Sequence, residues 1–224
     1  MKKIEVIQNV LEANQSIAVQ NQLILDNHKI LAVNIMSSPG AGKTSFVLQT
    51  IARLKNKLRI AVVEGDVAST IDAEKVNTEA VAVIQITTRY MSENCTLIAT
   101  MISHALQSLP LEDMDLLLIE NVGNLICPSE FALGEHKRIV ISSIPEGDDK
   151  PAKYPMIFAD ADVVVINKID LLPYIDFDIS SFQSTLVGLN PKVQIFKVSC
   201  KTGDGIENWC SWLLNEIKTN QQVK

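Results

Sequence analysis

At 224 residues with a net charge of −6, the chain has the size of one α/β domain with a sizeable core, and its acidic balance argues against nucleic acid as the main partner. No apolar run approaches the roughly 18 residues that span a bilayer, and the N-terminus turns polar at Gln8, Asn9 and Glu12 without a signal-peptide core. A cytoplasmic location with no membrane partner is therefore expected. Cys95, Cys127, Cys200 and Cys210 make neither a disulfide framework nor a Cys-x-x-Cys pair, so each thiol is a buried group or a metal ligand.

In chain order, Ile4, Ile7, Val10, Leu11, Ile17, Ala18, Leu23 and Leu25 suggest amphipathic helix over 2–26. Residues 1–26 then form an N-terminal helical extension to a single domain spanning 1–224. The apolar run from Ile30 to Ile35 leads into a glycine-rich turn and helix-like 44–55. Strand-like 58–63, a helix around 71–77, strand-like 81–86, a loop and a helix over 95–108 follow. The runs 116–119, 139–141 and 163–166 read as buried strands, 194–198 as another, and 205–218 as the closing helix. Continuous apolar strands alternating with helices predict an α/β fold, a mainly parallel sheet covered by helices on both faces. Such sheets bind ligands beyond the carboxyl ends of their strands.

The turn reads Ser37-Ser38-Pro39-Gly40-Ala41-Gly42-Lys43-Thr44, followed by Ser45. It is a P-loop with Ser37 in place of the first glycine, and it predicts a P-loop NTPase. Triphosphate oxygens need convergent donors, which a glycine-rich loop and a helix N-terminus supply. Gly40 and Gly42 admit close approach. Lys43 reaches the β- and γ-phosphates, and the Thr44 hydroxyl ligates Mg²⁺.

Asn167-Lys168-Ile169-Asp170 follows the strand 163–166 and matches the Asn-Lys-x-Asp pattern of guanine sites. The Asp170 carboxylate can accept from two adjacent guanine N–H groups, and adenine would set a ring acceptor against it. Lys168 lays its stem along the base. Ser199-Cys200-Lys201 resembles the Ser-Ala-Lys base loop with Cys200 where alanine is usual. GTP is thus expected over ATP. Of the acids after apolar strands, Asp66 and Glu120 are the Mg²⁺ candidates. Asp72, in Thr70-Ile71-Asp72-Ala73, can hold a metal-bound water or orient the attacking one; as a bland alternative it is a helix N-terminal acid. Gly123 is a candidate hinge. With Arg89 and Arg138 read as solvated, no catalytic arginine stands out, and slow intrinsic hydrolysis is expected. Lys43, Asp72 and Glu120 form the catalytic set.

A more specific likeness runs through Ile119-Glu120-Asn121-Val122-Gly123-Asn124-Leu125-Ile126-Cys127-Pro128, Leu133-Gly134-Glu135 and Glu146-Gly147-Asp148-Asp149-Lys150-Pro151-Ala152-Lys153-Tyr154-Pro155. It resembles the HypB GTPases that assist nickel insertion into nickel–iron hydrogenase, over almost the whole chain. The resemblance implies a nucleotide-dependent homodimer with a metal at its interface, a nickel-donor accessory protein and the hydrogenase large subunit as partners, and GTP and Mg²⁺ as cofactors. It implies nucleotide roles for Lys43, Thr44, Asp66, Glu120, Asn167 and Asp170. It sets Lys150–Pro155 against nucleotide or the other subunit, with Lys153 the candidate reader, where the residues alone read as a solvated loop.

The chain also departs from that family. Matching Cys95 to the family's metal-binding cysteine requires a loop about three residues longer and puts Thr96 at the metal-binding histidine and Ile98 at an aspartate; an ungapped match would put Ser92-Glu93 at the Cys-His pair. Without a His-rich tract or N-terminal cysteine motif, extra nickel storage is not expected. Cys95, at a helix start, and Cys127, after a switch, remain the Zn²⁺ or Ni²⁺ ligands that the resemblance implies; alone they read as structural cysteines. His104 reads as a surface or core histidine, and Cys200 and Cys210 as internal. The expected function is a GTP-hydrolysing, nucleotide-gated metallochaperone. The alternatives are a regulatory GTP-binding module that has lost metal delivery, and an ATP-dependent kinase, which Asp170 opposes.

Overall fold

The computed structural model describes residues 2–66, 80–87 and 95–222, with backbone alone for 2–8 and Asp66. The helix expected around 71–77 with Asp72, Arg89 and the pair Ser92-Glu93 lie outside the described residues. Among those described, seven strands form one parallel sheet in the order β3-β2-β4-β1-β5-β6-β7. They are β1 (Leu31–Ser37), β2 (Ile60–Asp66), β3 (Ala82–Thr87), β4 (Leu116–Glu120), β5 (Lys137–Ser143), β6 (Val163–Asn167) and β7 (Gln194–Lys197). Every residue of β1, β4 and β6 is buried, which is why they read as unbroken apolar runs.

The α-helices among the described residues are α1 (Lys2–Asn27), α2 (Lys43–Leu54), α3 (Ala99–Ser108), α4 (Cys127–Glu130), α5 (Lys150–Lys153), α6 (Pro155–Ala159), α7 (Ile179–Leu189) and α8 (Ile206–Gln222). Strand side chains alternate between two cores. Leu31, Val33 and Ile35 pack with Phe46 and Ile51 of α2 and with Trp209 and Leu213 of α8. The Trp209 indole donates to the Thr50 hydroxyl at 3.0 Å, tying those two helices together. On the other face Ala32, Ala61 and Leu117 meet Leu25 of α1 and Ile102 of α3, while Val140 and Val164 meet Phe158 of α6 and Phe182 of α7.

The layout differs locally from the sequence expectation. β2 runs on through Glu64 to Asp66, so these acids belong to the strand. α3 begins at Ala99, four residues after Cys95; Ile98 before it is extended. Cys95 is therefore not at a helix start, whereas Cys127 is the first residue of α4. Residues 150–159 form two short proline-led helices, and α7 was not anticipated at all. Its N-cap is Asp178, whose carboxylate accepts from Ser181 N–H.

β1 is central, with β4 on one side and β5 on the other. The chain leaves β1 towards one edge and later resumes on its opposite side. The resulting switch point opens a crevice at the strand ends, where the P-loop leaves β1.

Candidate nucleotide site and cysteine pair

Gly40 (φ 78°) and Gly42 (φ 102°) take left-handed conformations in the turn from β1 to α2. A Cβ on Gly42 would also lie 2.5 Å from the Asn167 amide nitrogen. That amide donates to Ala41 O at 2.9 Å, and Lys168 Nζ donates to Gly40 O at 2.7 Å. The first two residues of the base motif thus brace the phosphate loop. Lys43 Nζ donates to the Ser37 hydroxyl at 3.1 Å.

A cavity of about 450 Å³ opens over the start of α2, lined by Gly40, Lys43, Thr44, Glu64 and Glu120 among others. A second hollow of about 420 Å³ is lined by Asn167, Lys168, Asp170, Leu171, Cys200 and Lys201. Gly42 and Ser45 border both, so the two lie on either side of the start of α2. In the second hollow Ser199 donates to Asp170 Oδ1 at 2.6 Å and fixes the carboxylate. Asn167 Oδ1 accepts from the N–H groups of Lys168 and Cys200. Burial pushes the Cys200 thiol up to about 11, with the Asn167 hydrogen bond opposing that shift.

Glu64 and Glu120 are register partners on adjacent strands, only 3% and 5% exposed. The Thr44 hydroxyl donates to Glu120 Oε1 at 2.8 Å. The Asp66 side chain is outside the described residues. Glu64 was passed over in the sequence; its signal was its position at the end of an apolar strand, matching that of Glu120. A Cβ on Gly123 would meet Pro39 at 3.1–3.3 Å, so the loop after β4 lies directly on the P-loop.

Cys95 and Cys127 are half-buried thiols outside any disulfide. Asn124 joins their segments, donating to Cys95 O at 3.2 Å and accepting from Ile126 N–H at 2.9 Å. Thr96 is buried and its hydroxyl donates to Leu97 O. His104 is exposed and borders a separate hollow with Ile84 and Ile86. Among the described residues no group of three or more His, Cys, Asp or Glu side chains could hold a metal. Lys153 borders neither nucleotide hollow; it is exposed and pairs with Asp149 at 2.5 Å, which lowers that carboxyl below its usual range. Arg138 is not solvated as expected: its guanidinium binds the buried Glu135 at 2.9 Å. Cys210 is buried in the core beside α2, as expected.

A parallel α/β sheet with a braced P-loop and an adjoining hollow lined by Asp170 defines a P-loop nucleotide-binding protein. Residues 31–197 match the CobW/HypB/UreG nucleotide-binding domain family. Hydrogenase maturation factor HypB of Escherichia coli strain K12 is 40% identical over 95% of this chain and 72% of its own length. The crystal structure of hydrogenase maturation factor HypB from Archaeoglobus fulgidus aligns with TM-score 0.85 at 39% identity, covering 92% of this chain and 99% of that one. The crystal structure of HypB from Helicobacter pylori in complex with nickel aligns with TM-score 0.86 at 38% identity, covering 95% and 98%. The chain belongs to the HypB family of hydrogenase maturation factors.

Proposed function

We propose that the protein is a GTP-hydrolysing, nucleotide-gated metallochaperone that serves nickel insertion into hydrogenase in the cytoplasm. The observation that carries the nucleotide part is the bracing of Gly40 and Ala41 by Lys168 and Asn167, with Asp170 fixed in the adjoining hollow. Base and phosphate recognition share one rigid frame. Water is the nucleophile. Lys43 and the N–H groups opening α2 hold charge on the phosphates, and Glu120, with Asp72 on the segment outside the described residues, orders the attacking side. Thr44, Glu120 and Glu64 gather hard oxygens that suit Mg²⁺, with Asp66 as the further carboxylate. An ion held there would supply charge neutralisation to the bound phosphates.

The metal part rests on the cysteine pair joined by Asn124. One subunit offers two strong thiol ligands, and a two-fold axis would gather four around one Zn²⁺ or Ni²⁺. Ile126 and Met156, 61% and 65% exposed on the flanks of the packed α4 and α6, supply apolar surface beside Cys127 for a second copy. Lys153 is then available to the partner's nucleotide. A nickel-donor protein and the hydrogenase large subunit complete the cycle. Among the described residues no helix is long and apolar enough to cross a membrane. Inward-facing Thr96 favours one rival reading, a regulatory GTP-binding module without metal delivery.

Titration of purified protein with Ni²⁺ and Zn²⁺, in GDP and GTP-analogue states, with light scattering, separates the readings. Expected are a dimer with the analogue, one ion per dimer bound more tightly in that state, zinc at least as tight as nickel, and loss of binding in Cys95→Ala and Cys127→Ala but not His104→Ala. An unchanged monomer, or tight one-per-monomer binding that survives Cys95→Ala, would overturn the gated interface site.

A further inference from the structure

Three asparagine side chains tie together the stretches that contain or follow the two cysteines: Asn124 bonds Cys95 itself, while Asn14 and Asn21 bridge Ala99, the first residue of α3, to Ala132 and Leu133 beyond α4. Asn124 bonds Cys95 O with its nitrogen and Ile126 N–H with its oxygen. On α1, Asn14 accepts from Ala99 N–H at 2.8 Å and donates to Ala132 O at 2.8 Å. Two turns further along the same helix, Asn21 donates to Ala99 O at 2.8 Å and to Leu133 O at 2.9 Å. Asn14 and Asn21 are buried, and a buried amide is costly unless it is hydrogen-bonded. Neither segment has a sheet ladder to hold it, since residues 95–98 and 131–136 are irregular. Asn14 and Asn21 each bond both Ala99 and the 132–133 main chain, and Asn124 bonds Cys95 O to its own turn before Cys127.

We propose that Asn124, Asn14 and Asn21 are positioning residues for the Cys95–Cys127 thiol pair. They fix the spacing of the two segments in the single subunit, before any ion arrives. The geometry of the first ligands to a metal depends on the groups that hold them, and removing such a group lowers metal affinity. The amide bridges play that part here through the backbone. The inference rests on the reading of Cys95 and Cys127 as ligands, and its test has one arm that does not.

The full-length protein and its Asn124→Ala and Asn21→Leu variants are titrated with Ni²⁺ alone, following the thiolate-to-nickel charge-transfer band. In parallel, metal-free monomer is treated with a short bifunctional thiol reagent, and the Cys95–Cys127 bridged peptide is measured by mass spectrometry. Expected are about tenfold or greater losses of Ni²⁺ affinity, an altered band, and a lower bridged yield, with guanine-nucleotide affinity unchanged. Folded variants with wild-type bridging and a wild-type band would overturn the proposal, as would absence of bridging in the wild type. If Asn21→Leu does not fold, the half-exposed Asn124→Ala decides alone. If wild-type nickel binding is indifferent to Cys95→Ala, the ligand reading falls, and the bridging yields still decide the positioning.

Discussion

Lys43 donates to the hydroxyl of Ser37 at 3.1 Å, and Ser37 is the residue that stands where a P-loop ordinarily carries its first glycine. That hydroxyl in turn donates to Ser38 O at 2.6 Å. The departure from the motif therefore gives the phosphate-binding lysine a defined partner within the loop.

Nucleotide binding must compete with that contact. Ser37→Ala is expected to tighten GTP binding by about two- to tenfold, the worth of one hydrogen bond of about 0.5–1.5 kcal/mol. Lys43→Ala should lose nucleotide altogether. Calorimetry on both variants checks this, and weaker binding in Ser37→Ala would mean that its hydroxyl serves the phosphates directly.

Base choice should follow Asp170. Its carboxylate is held by Ser199, so Asp170→Asn keeps a group of the same size in the same place while exchanging an acceptor for a donor. GTP should weaken by about tenfold or more, as expected for a lost charge-assisted bond, and xanthosine triphosphate should improve. Equal affinity of the wild type for ATP and GTP in competition binding would refute guanine recognition.

The two buried carboxylates should act together. Glu120→Gln and Glu64→Gln are each expected to raise the Mg²⁺ concentration for half-maximal hydrolysis, with Glu120 the larger effect because Thr44 already contacts it. Superimposable Mg²⁺ curves for Glu64→Gln and wild type would remove Glu64 from the site.

The cysteines should separate by reactivity. The thiolate is the nucleophile, and burial pushes the thiols of Cys200 and Cys210 up to about 11, leaving both protonated at pH 8. Alkylation at these two positions should be slow at pH 8 and rise steeply only as the pH nears that value. Bound GTP should protect Cys200, which borders the base hollow, and leave Cys210 unaffected. Peptide mapping after timed alkylation reads both, and rapid labelling of Cys200 at pH 8 would contradict its burial.

The strands β1, β4 and β6 were legible because burial on both faces leaves an unbroken apolar signal, and the P-loop and base motif because their backbone and charge requirements are local. The start of α3 was not legible for a physical reason. Its cap is Asn14, which accepts from Ala99 N–H across 85 positions of sequence, so no capping residue stands beside the helix. The serine-rich, glycine-containing text of α7 hid a helix whose stability comes from Phe182 and Leu186 in the core. Arg138 looked solvated although Glu135 stands three residues before it, because only the fold turns that carboxylate inward, where it accepts from Asn34 of β1 and from Leu133 N–H.

Gly134 sits against α1 so closely that a Cβ there would lie 2.7 Å from Ala18 O and 2.6 Å from Asn21 Cβ. The bonds that seat α1 reach 78 to 118 positions along the chain, to Ala99, Ala132 and Leu133. During synthesis this helix emerges from the ribosome ahead of everything it leans on, and closing so long a loop comes late in folding. Until residue 134 has been added, its buried face is open to chaperones or to misplaced contacts. The helix is made before the residues that seat it, and its seat is complete only once residues 132–134 have followed.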